Sequence, residues 1–436
     1  MTMKTTHTLS EFVKQTSTSP YPNIPLRDRL EALDAVTQQW LDPKHPGRIH
    51  AVHRLRNLTG LPEAMIHAGI DHHLRFLQKE YLFTTLGIPL DKTSALTRFV
   101  QLKRVRYTLT SPALTLFWMP GNLPGPVFIE IALAVLAGGP FVMRVSSQEP
   151  ILGPVFWSEL VNLYPRFSQL GWVGTWPHDD RAHLEVLIPH LETVVAYGYE
   201  TALQNLRNHL PAHIRFLAFP HRISIALVDP AVQTSQFPVF DRLAEDIAWY
   251  NQLGCMSPQH VFIRVNSPDE LEPVVDTLAD ALDRVHQRWP LEIPDDGVAM
   301  RIQSFRARMV VRPDVRVRYH PDLAWGIFIT DRFDLSPTCG YRHVFLHPIS
   351  KPDELPRYLT PHRSHLQTLG LALPEKPADA WFLHLARIGI RRFCAIGKMQ
   401  KPAYPGCHDG RPRLADLMTW VIDESSLLSS RTSPTS

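Results

Sequence analysis

Apolar residues recur at helical spacing through the first 90 residues. In LPEAMIHAGIDHHLRFLQKEYLFTTL, Met65, Ile66, Ile70, Leu74 and Leu77 share one stripe, which predicts a helix. From about residue 113 the texture changes. ALTLFWMP reads as a strand, PGNLPG as a loop and Pro126–Ala137 as a buried helix. PFVMRVS, GWVGTWP, ETVVAYG and IRFLAF read as further strands. LGPVFWSELVNLY, RAHLEVLIPHL and ETALQNLRNHL supply the helices between them. Strands alternating with helices of this length predict βαβ units and a parallel sheet covered on both faces.

A second α/β block follows. RISIALVD and HVFIRV read as strands, and FDRLAEDIAWYNQ as an amphipathic helix with Leu243, Ile247 and Tyr250 on one stripe. PDELEPVVDTLADALDRVHQRW reads as a long helix. After Pro294 the pattern turns β-rich, with RMVVRP, VRVRYH, WGIFITD and HVFLHP as strands, and it returns to helix–strand–helix around Ala380–Trp420. The fold class is therefore α/β, with two Rossmann-like domains and a helical N-terminal region. The expected divisions are 1–90 (helical), 91–235 (cofactor domain), 236–385 (catalytic domain), 386–424 (a segment packing back on the seam) and 425–436, a disordered tail of low complexity.

Composition changes this picture little. With 45 Lys+Arg against 42 Asp+Glu the formal charge is +3, which gives no reason to expect nucleic acid or an anionic membrane as partner. The longest apolar stretch, Val127–Met143, is interrupted by Glu130 and a Gly-Gly-Pro break, so no membrane span is expected. The four cysteines form no C-x-x-C pair and the N-terminus has no apolar signal core, which together point to free thiols and a cytoplasmic setting. His72-His73, His362/His365 and His408 lie in no metal-binding spacing, so no metal is expected. G-x-S-x-G and G-x-G-x-x-G are both absent, which excludes a serine-hydrolase elbow and an ordinary Rossmann pyrophosphate turn.

Two stretches carry candidate chemistry. In Asn251-Gln-Leu-Gly-Cys-Met-Ser-Pro-Gln259, Cys255 stands between a helix and a strand, where a thiol can be exposed at a domain seam and act as a nucleophile. Packing as a small buried hydrophobe is the alternative. In Pro120-Gly-Asn-Leu-Pro-Gly125, Asn122 sits in a rigid turn that can aim a side-chain amide at an oxyanion, or can simply form the turn.

Together these stretches resemble the aldehyde-dehydrogenase superfamily, and more closely its acyl-CoA reductase branch of LuxC type, known from bacterial bioluminescence. PGNLPG is similar to the family's Asn loop, and FVMRVSSQEP to the segment that receives the adenosine end of the cofactor. QLGCMSPQHVFI is similar to the nucleophile segment, with Gln252 three residues ahead of the cysteine. RRFCAIGKMQKPAYPGCHDG resembles the branch's C-terminal segment, whose His408-Asp409-Gly410 reads as a turn. The resemblance runs from roughly residue 50 to 420 with motif order preserved. It implies an NADPH-dependent reduction of a fatty acyl thioester, acyl-CoA or acyl-protein, to the aldehyde through a thioester on Cys255.

Departures from the superfamily pattern refine this. Where ordinary aldehyde dehydrogenases carry the Glu that activates a deacylating water, this chain has His221, in Phe219-Pro-His-Arg-Ile-Ser224. Loss of that carboxylate suits acyl exchange between thiols, and a His can take the Cys255 proton and return one to the leaving thiol. A surface His beside a Pro turn is the other reading. The Glu-x-Phe-Gly-Pro segment that holds the nicotinamide ribose has only Pro337-Thr-Cys-Gly-Tyr341 as its nearest counterpart, without a carboxylate. The resemblance puts Arg144 in place of a Lys that contacts the adenosine ribose. Arg144 with Ser146 and Ser147 favours a 2′-phosphate, hence NADPH, and Gly198 matches a loop near the pyrophosphate. The resemblance further implies a homo-oligomer and an acyl-protein synthetase as partner. The rival expectations are a reductase of another activated acyl group and a catalytically silent scaffold in an acyl-transfer complex.

Overall fold

The computed structural model describes residues 8–18, 23–82, 90–403 and 406–425. Its chain divides into two units: Met1–Arg54, His67–Pro220 and Tyr404–Ser436 form the first, and Leu55–Ile66 with His221–Ala403 the second.

The N-terminal region is helical, with helices at Leu9–Thr18, Leu26–Leu41, Pro46–Thr59 and Glu63–Leu74. The stripe of Met65, Ile66, Ile70, Leu74 and Leu77 is fully buried, as its spacing requires. Two short strands follow, β1 (Val100–Leu102) and β2 (Val105–Thr110).

The core of the first unit is a parallel sheet. Its strands are β3 (Thr115–Trp118), β4 (Phe141–Arg144), β5 (Gly171–Gly174), β6 (Thr193–Gly198) and β7 (Arg215–Pro220), in the order β5-β4-β3-β6-β7. The first strand is therefore central, and the order reverses between β3 and β6. At such a switch point the loops leaving the carboxyl ends of the two strands part and leave a crevice. Helices Pro126–Ala137, Leu152–Leu163, Arg181–Leu187 and Glu200–Asn208 make the crossovers. The first of these is apolar all round and buried along nearly its whole length, Glu130 included. Arg29 closes its C-terminus by donating to the carbonyls of Val135 (3.3 Å) and Leu136.

The second unit holds seven strands: β8 (Ile223–Val228), β9 (Pro258–Arg264), β10 (Arg316–Tyr319), β11 (Gly326–Ile329), β12 (His343–Ile349), β13 (Leu366–Ala372) and β14 (Arg392–Ala395). They lie in the order β10-β11-β12-β9-β8-β13-β14, parallel except for the antiparallel edge strand β10. Helices Val239–Ala248 and Leu271–Arg288 bury their apolar faces against this sheet. Back in the first unit, the chain ends in a hairpin, β15 (Cys407–His408) and β16 (Arg411–Pro412), and in β17 (Thr419–Asp423), which adds antiparallel to β2. Asp409 and Gly410 have φ of 49° and 75°, the positive pair that a two-residue hairpin turn requires.

Several expectations need correction. The boundary set at 235 falls between Pro220 and His221, because β8 pairs with β9 and β13 in the second sheet. The segment 386–424 is divided: β14 belongs to the second sheet, while β15, β16 and β17 lie in the first unit. RMVVRP is not a strand but the end of the helix Asp296–Val310, whose inward residues Val298, Ile302, Phe305 and Met309 follow helical spacing. The tail 426–436 lies outside the described residues.

Glu149, at the start of the helix Leu152–Leu163, is buried and accepts from the backbone N–H groups of Ile151 (3.1 Å) and Leu152 (2.8 Å). Burial pushes its carboxyl up to about 7 against these hydrogen bonds. The folded chain thus binds this proton more tightly than the unfolded chain, whose Glu titrates near ~4.3. The resulting stabilisation is complete below that value and is lost as pH rises through about 7. Glu149→Gln keeps the acceptor and removes the titration. Melting at pH 5 and pH 8 should show the variant losing less stability than the parent, by on the order of 2 kcal/mol; parallel losses would refute the assignment.

Candidate functional site

Cys255 is half-buried at the amino edge of the second sheet, just ahead of β9. The helix expected to run to Gln252 stops at Ala248. Tyr250, Asn251 and Gln252 then take left-handed conformations, with φ of 52°, 51° and 63°. Three consecutive non-glycine residues of this kind are costly and persist only where the surroundings enforce them.

Here the surroundings do so. Met65 Sδ accepts from Tyr250 N (3.0 Å), and Asn251 O accepts from Tyr341 N (2.9 Å). Asn251 Oδ1 accepts from the fully buried Arg342 (2.9 Å). Gln252 uses both ends of its amide: Oε1 accepts from His343 N at the start of β12 (2.8 Å), and Nε2 donates to Pro258 O at the start of β9 (2.9 Å). Its side chain bridges two neighbouring strands and fixes the segment that leads to the cysteine. Tyr341 and Arg342 are left-handed too, with φ of 53° and 66°, so two strained turns clamp one another.

The far side of the cysteine is held as firmly. Ser224 Oγ donates to Cys255 O (2.7 Å) and accepts from Thr368 N on β13 (3.3 Å). Gln400 Nε2 donates to Ser257 Oγ, and Arg392 reaches Met256 Sδ (3.6 Å) while binding the carbonyls of Met399 and Lys398. Asp246 accepts from Gly397 N (2.5 Å) and Met399 N (3.1 Å), and burial raises its carboxyl to about 7. The stretch RRFCAIGKMQ thus braces the nucleophile segment. The sequence set this stretch apart as part of a segment packing back on the seam; Ser224, Asp246, Arg342 and Gln400 were missed, since none lies in a chemical motif.

His221 stands at the entrance to β8, which runs beside β9, so it and Cys255 belong to the same edge of one sheet. Burial lowers its pKa, which leaves the imidazole neutral near pH 7 and able to accept a proton. Burial raises the thiol pKa of Cys339 to about 12 and of Cys394 to about 11, and also raises that of Cys407. None of these three is set up as a thiolate.

The remaining expected residues lie in the first unit at the carboxyl edge of its sheet. Asn122 follows β3 and Gly198 ends β6, the two strands that flank the switch point. A Cβ on Gly121 would fall 2.4 Å from Ser146 Oγ, so the Asn122 loop and the Ser146–Ser147 loop touch. Gly125, with φ of 108°, lies against the His73 ring, whose Nδ1 would sit 2.4 Å from a Cβ there. At Gly198 a Cβ would meet Ala202 and Leu203 at 3.9 Å, ordinary van der Waals contact, so a side chain would fit there without a clash.

Arg144, expected to meet the adenosine end of the cofactor, is enclosed by aromatic groups. It is 5% exposed, its Cζ lies 4.6 Å from the Trp118 ring centroid, and its Nε donates to Trp176 O (3.2 Å). Ser147 is exposed and Ser146 half-buried. Beyond these, Tyr197 Oη donates to Glu130 (2.6 Å) and accepts from Arg413 (3.1 Å), which also pairs with Glu130. This buried triad ties the terminal hairpin to the helix that follows the Asn122 loop.

The family described as acyl-CoA reductase (LuxC) matches residues 22–420. A long-chain acyl-protein thioester reductase of Aliivibrio fischeri is 22% identical over 413 residues, covering 92% of this chain and 83% of that protein. One from Vibrio harveyi is 24% identical over 320 residues, covering 71% of this chain and 64% of that protein. Among solved structures, an oxidoreductase from Marinobacter aquaeolei aligns with a TM-score of 0.71 at 13% identity, over 95% of this chain and 89% of that one. Aldehyde dehydrogenase 21 from Physcomitrella patens aligns with a TM-score of 0.70 at 11% identity, also over 95% and 89%. The fold is that of the aldehyde dehydrogenases.

Gln252→Ala leaves His343 N–H only its longer bond to Gly340 O (3.2 Å), removes the amide donor from Pro258 O and releases the strained turn. It should cost roughly 2–4 kcal/mol by denaturant unfolding. In the folded variant, alkylation of Cys255 should change rate while Cys407 is unaffected. Unchanged stability would show that the amide bridge is dispensable.

Proposed function

Because the chain belongs to the acyl-CoA reductase (LuxC) family, we propose that it reduces a fatty acyl thioester to the aldehyde through a covalent thioester on Cys255. The observation that carries this reading is the doubly clamped Cys255 segment, with a burial-neutralised His221 on the same sheet edge.

In this reading Cys255 Sγ, its proton passed to His221, attacks the thioester carbonyl. The Cys255 backbone N–H stabilises the oxyanion, such a donor contributing about 3 kcal/mol. The donor thiol leaves with a proton from His221, and the acyl group stays on sulfur. With no carboxylate at position 221, hydrolysis of that thioester is disfavoured. Uptake of one hydride and one proton by the acyl group would give a thiohemiacetal on Cys255, which collapses to the aldehyde and the free Cys255 thiol.

The reductant in this reading is NADPH, which supplies hydride when bound. The carboxyl edge of the first sheet fits such a group: a switch point between β3 and β6, with touching loops at Asn122 and Ser146. Gly198 would lie along the diphosphate. Ser146 and Ser147, on the loop that follows Arg144, would hold the adenosine end. The donor is acyl-CoA or, as the relatives' names suggest, an acyl-protein. A homo-oligomer, a cytoplasmic setting and an acyl-protein synthetase as partner belong to the same reading. Among the described residues, no helix is long and apolar enough to cross a membrane.

The test is NADPH oxidation against acyl thioesters of graded chain length. The intact chain should turn over long-chain donors, and Cys255→Ala should lose at least about 10³-fold. Since burial lowers the His221 pKa, the acid limb of kcat/KM should fall below the ordinary His value of about 6.5, and His221→Ala should abolish that limb. Full activity in Cys255→Ala would overturn the reading.

A further inference from the structure

The helix Asp296–Val310 has two faces with different surroundings. Inward, Val298 and Ile302 cluster with Tyr341 and with Leu253, two residues before the cysteine. The Arg301 guanidinium lies 5.2 Å over the Tyr341 ring, and Tyr341 N donates to Asn251 O. This helix therefore backs directly onto the nucleophile segment of its own unit.

Outward, it exposes apolar side chains that a free surface does not need. Met300 is 65%, Val310 52% and Val311 79% exposed, and no large hydrophobic among the described residues is more exposed than Val311. The charge on this face has one sign. Between Asp296 and Asp314 the sequence holds Arg301, Arg306, Arg308 and Arg312 and no acid. Arg306 turns inward onto His343, Arg312 pairs with Asp314 and Arg301 lies over the Tyr341 ring, while Arg308 stands exposed among the apolar residues. On the adjacent edge strand β10, Arg316 and Arg318 pair with Glu272 and Asp276 as exposed ion pairs, which exchange readily for other acids. Exposed Met and Arg without acids is the composition of a recognition surface, and its complement is acidic with a small apolar centre.

We propose that this outer face docks the acyl donor when the donor is a protein: an acidic protein that presents the acyl group as a thioester. The proposal rests on thioester reduction at Cys255. A CoA thioester is too small to cover both ends of the face, so the face distinguishes the two donors.

The test compares the full chain with Arg308→Glu and Arg308→Gln on one acyl chain delivered two ways, as acyl-CoA and on the phosphopantetheine arm of an acidic acyl carrier protein. Arg308→Glu should raise KM for the protein donor about tenfold, and Arg308→Gln less. Both should leave KM and kcat for acyl-CoA, and the melting temperature, unchanged. Raising salt from about 50 to about 300 mM should weaken only the protein donor. Equal changes with both donors, or none with either, would overturn the docking surface. If the parent chain reduces neither donor, the functional reading fails instead. Docking is then read separately, by fluorescence anisotropy of the labelled carrier protein, where equal affinity for parent and Arg308→Glu would refute it.

Discussion

One side-chain amide organises the chemistry of the second unit. Gln252 takes the place of a piece of backbone, accepting from β12 and donating to β9, in the gap where the chain turns from helix to strand. That bridge is what a left-handed run through Tyr250, Asn251 and Gln252 needs in order to persist. The run in turn ends the helix at Ala248 and brings Cys255 to the sheet edge rather than into the helix core. Every other contact around the cysteine, from Ser224 to Gln400, acts on a segment whose course Gln252 has already set.

Each unit concentrates its candidate chemistry on one edge of its own sheet. In the first, the switch between β3 and β6 gathers Asn122, Ser146 and Gly198 at the carboxyl edge. In the second, His221 and Cys255 share the amino edge, and the stretch from Arg392 to Gln400 supports them from behind. Burial raises the pKa values of Cys339, Cys394 and Cys407, so none of these three is set up as a thiolate at neutral pH. It also lowers that of His221, which makes this imidazole a proton acceptor.

Much of this was legible in the sequence because it depends on periodicity. The alternation of strand and helix from residue 113 onward corresponds to the two parallel sheets. The stripe from Met65 to Leu77 is buried in full. What stayed hidden depends on contacts between residues distant in sequence. Nothing local to Tyr250–Gln252 announces a left-handed turn, because the partners that enforce it, Met65 and Tyr341–His343, come from elsewhere in the chain. RMVVRP misled because three β-branched or apolar residues in a row outweighed a helical period spread over the preceding turns. The enclosure of Arg144 was hidden for the same reason, because Trp118 and Trp176 lie on neighbouring strands or beyond them. The pairing of β17 with β2 joins segments more than 300 residues apart, which no local pattern reveals.

The most direct measurement is the position of the covalent intermediate. The full chain is incubated with a long-chain acyl-CoA without reductant, digested at low pH, and its peptides are weighed by mass spectrometry. The acyl mass should be found on the peptide that contains Cys255 and should disappear on adding hydroxylamine, as a thioester does. An acyl group on Cys339, Cys394 or Cys407 instead, or on no cysteine at all, would contradict the assignment of Cys255 as the nucleophile.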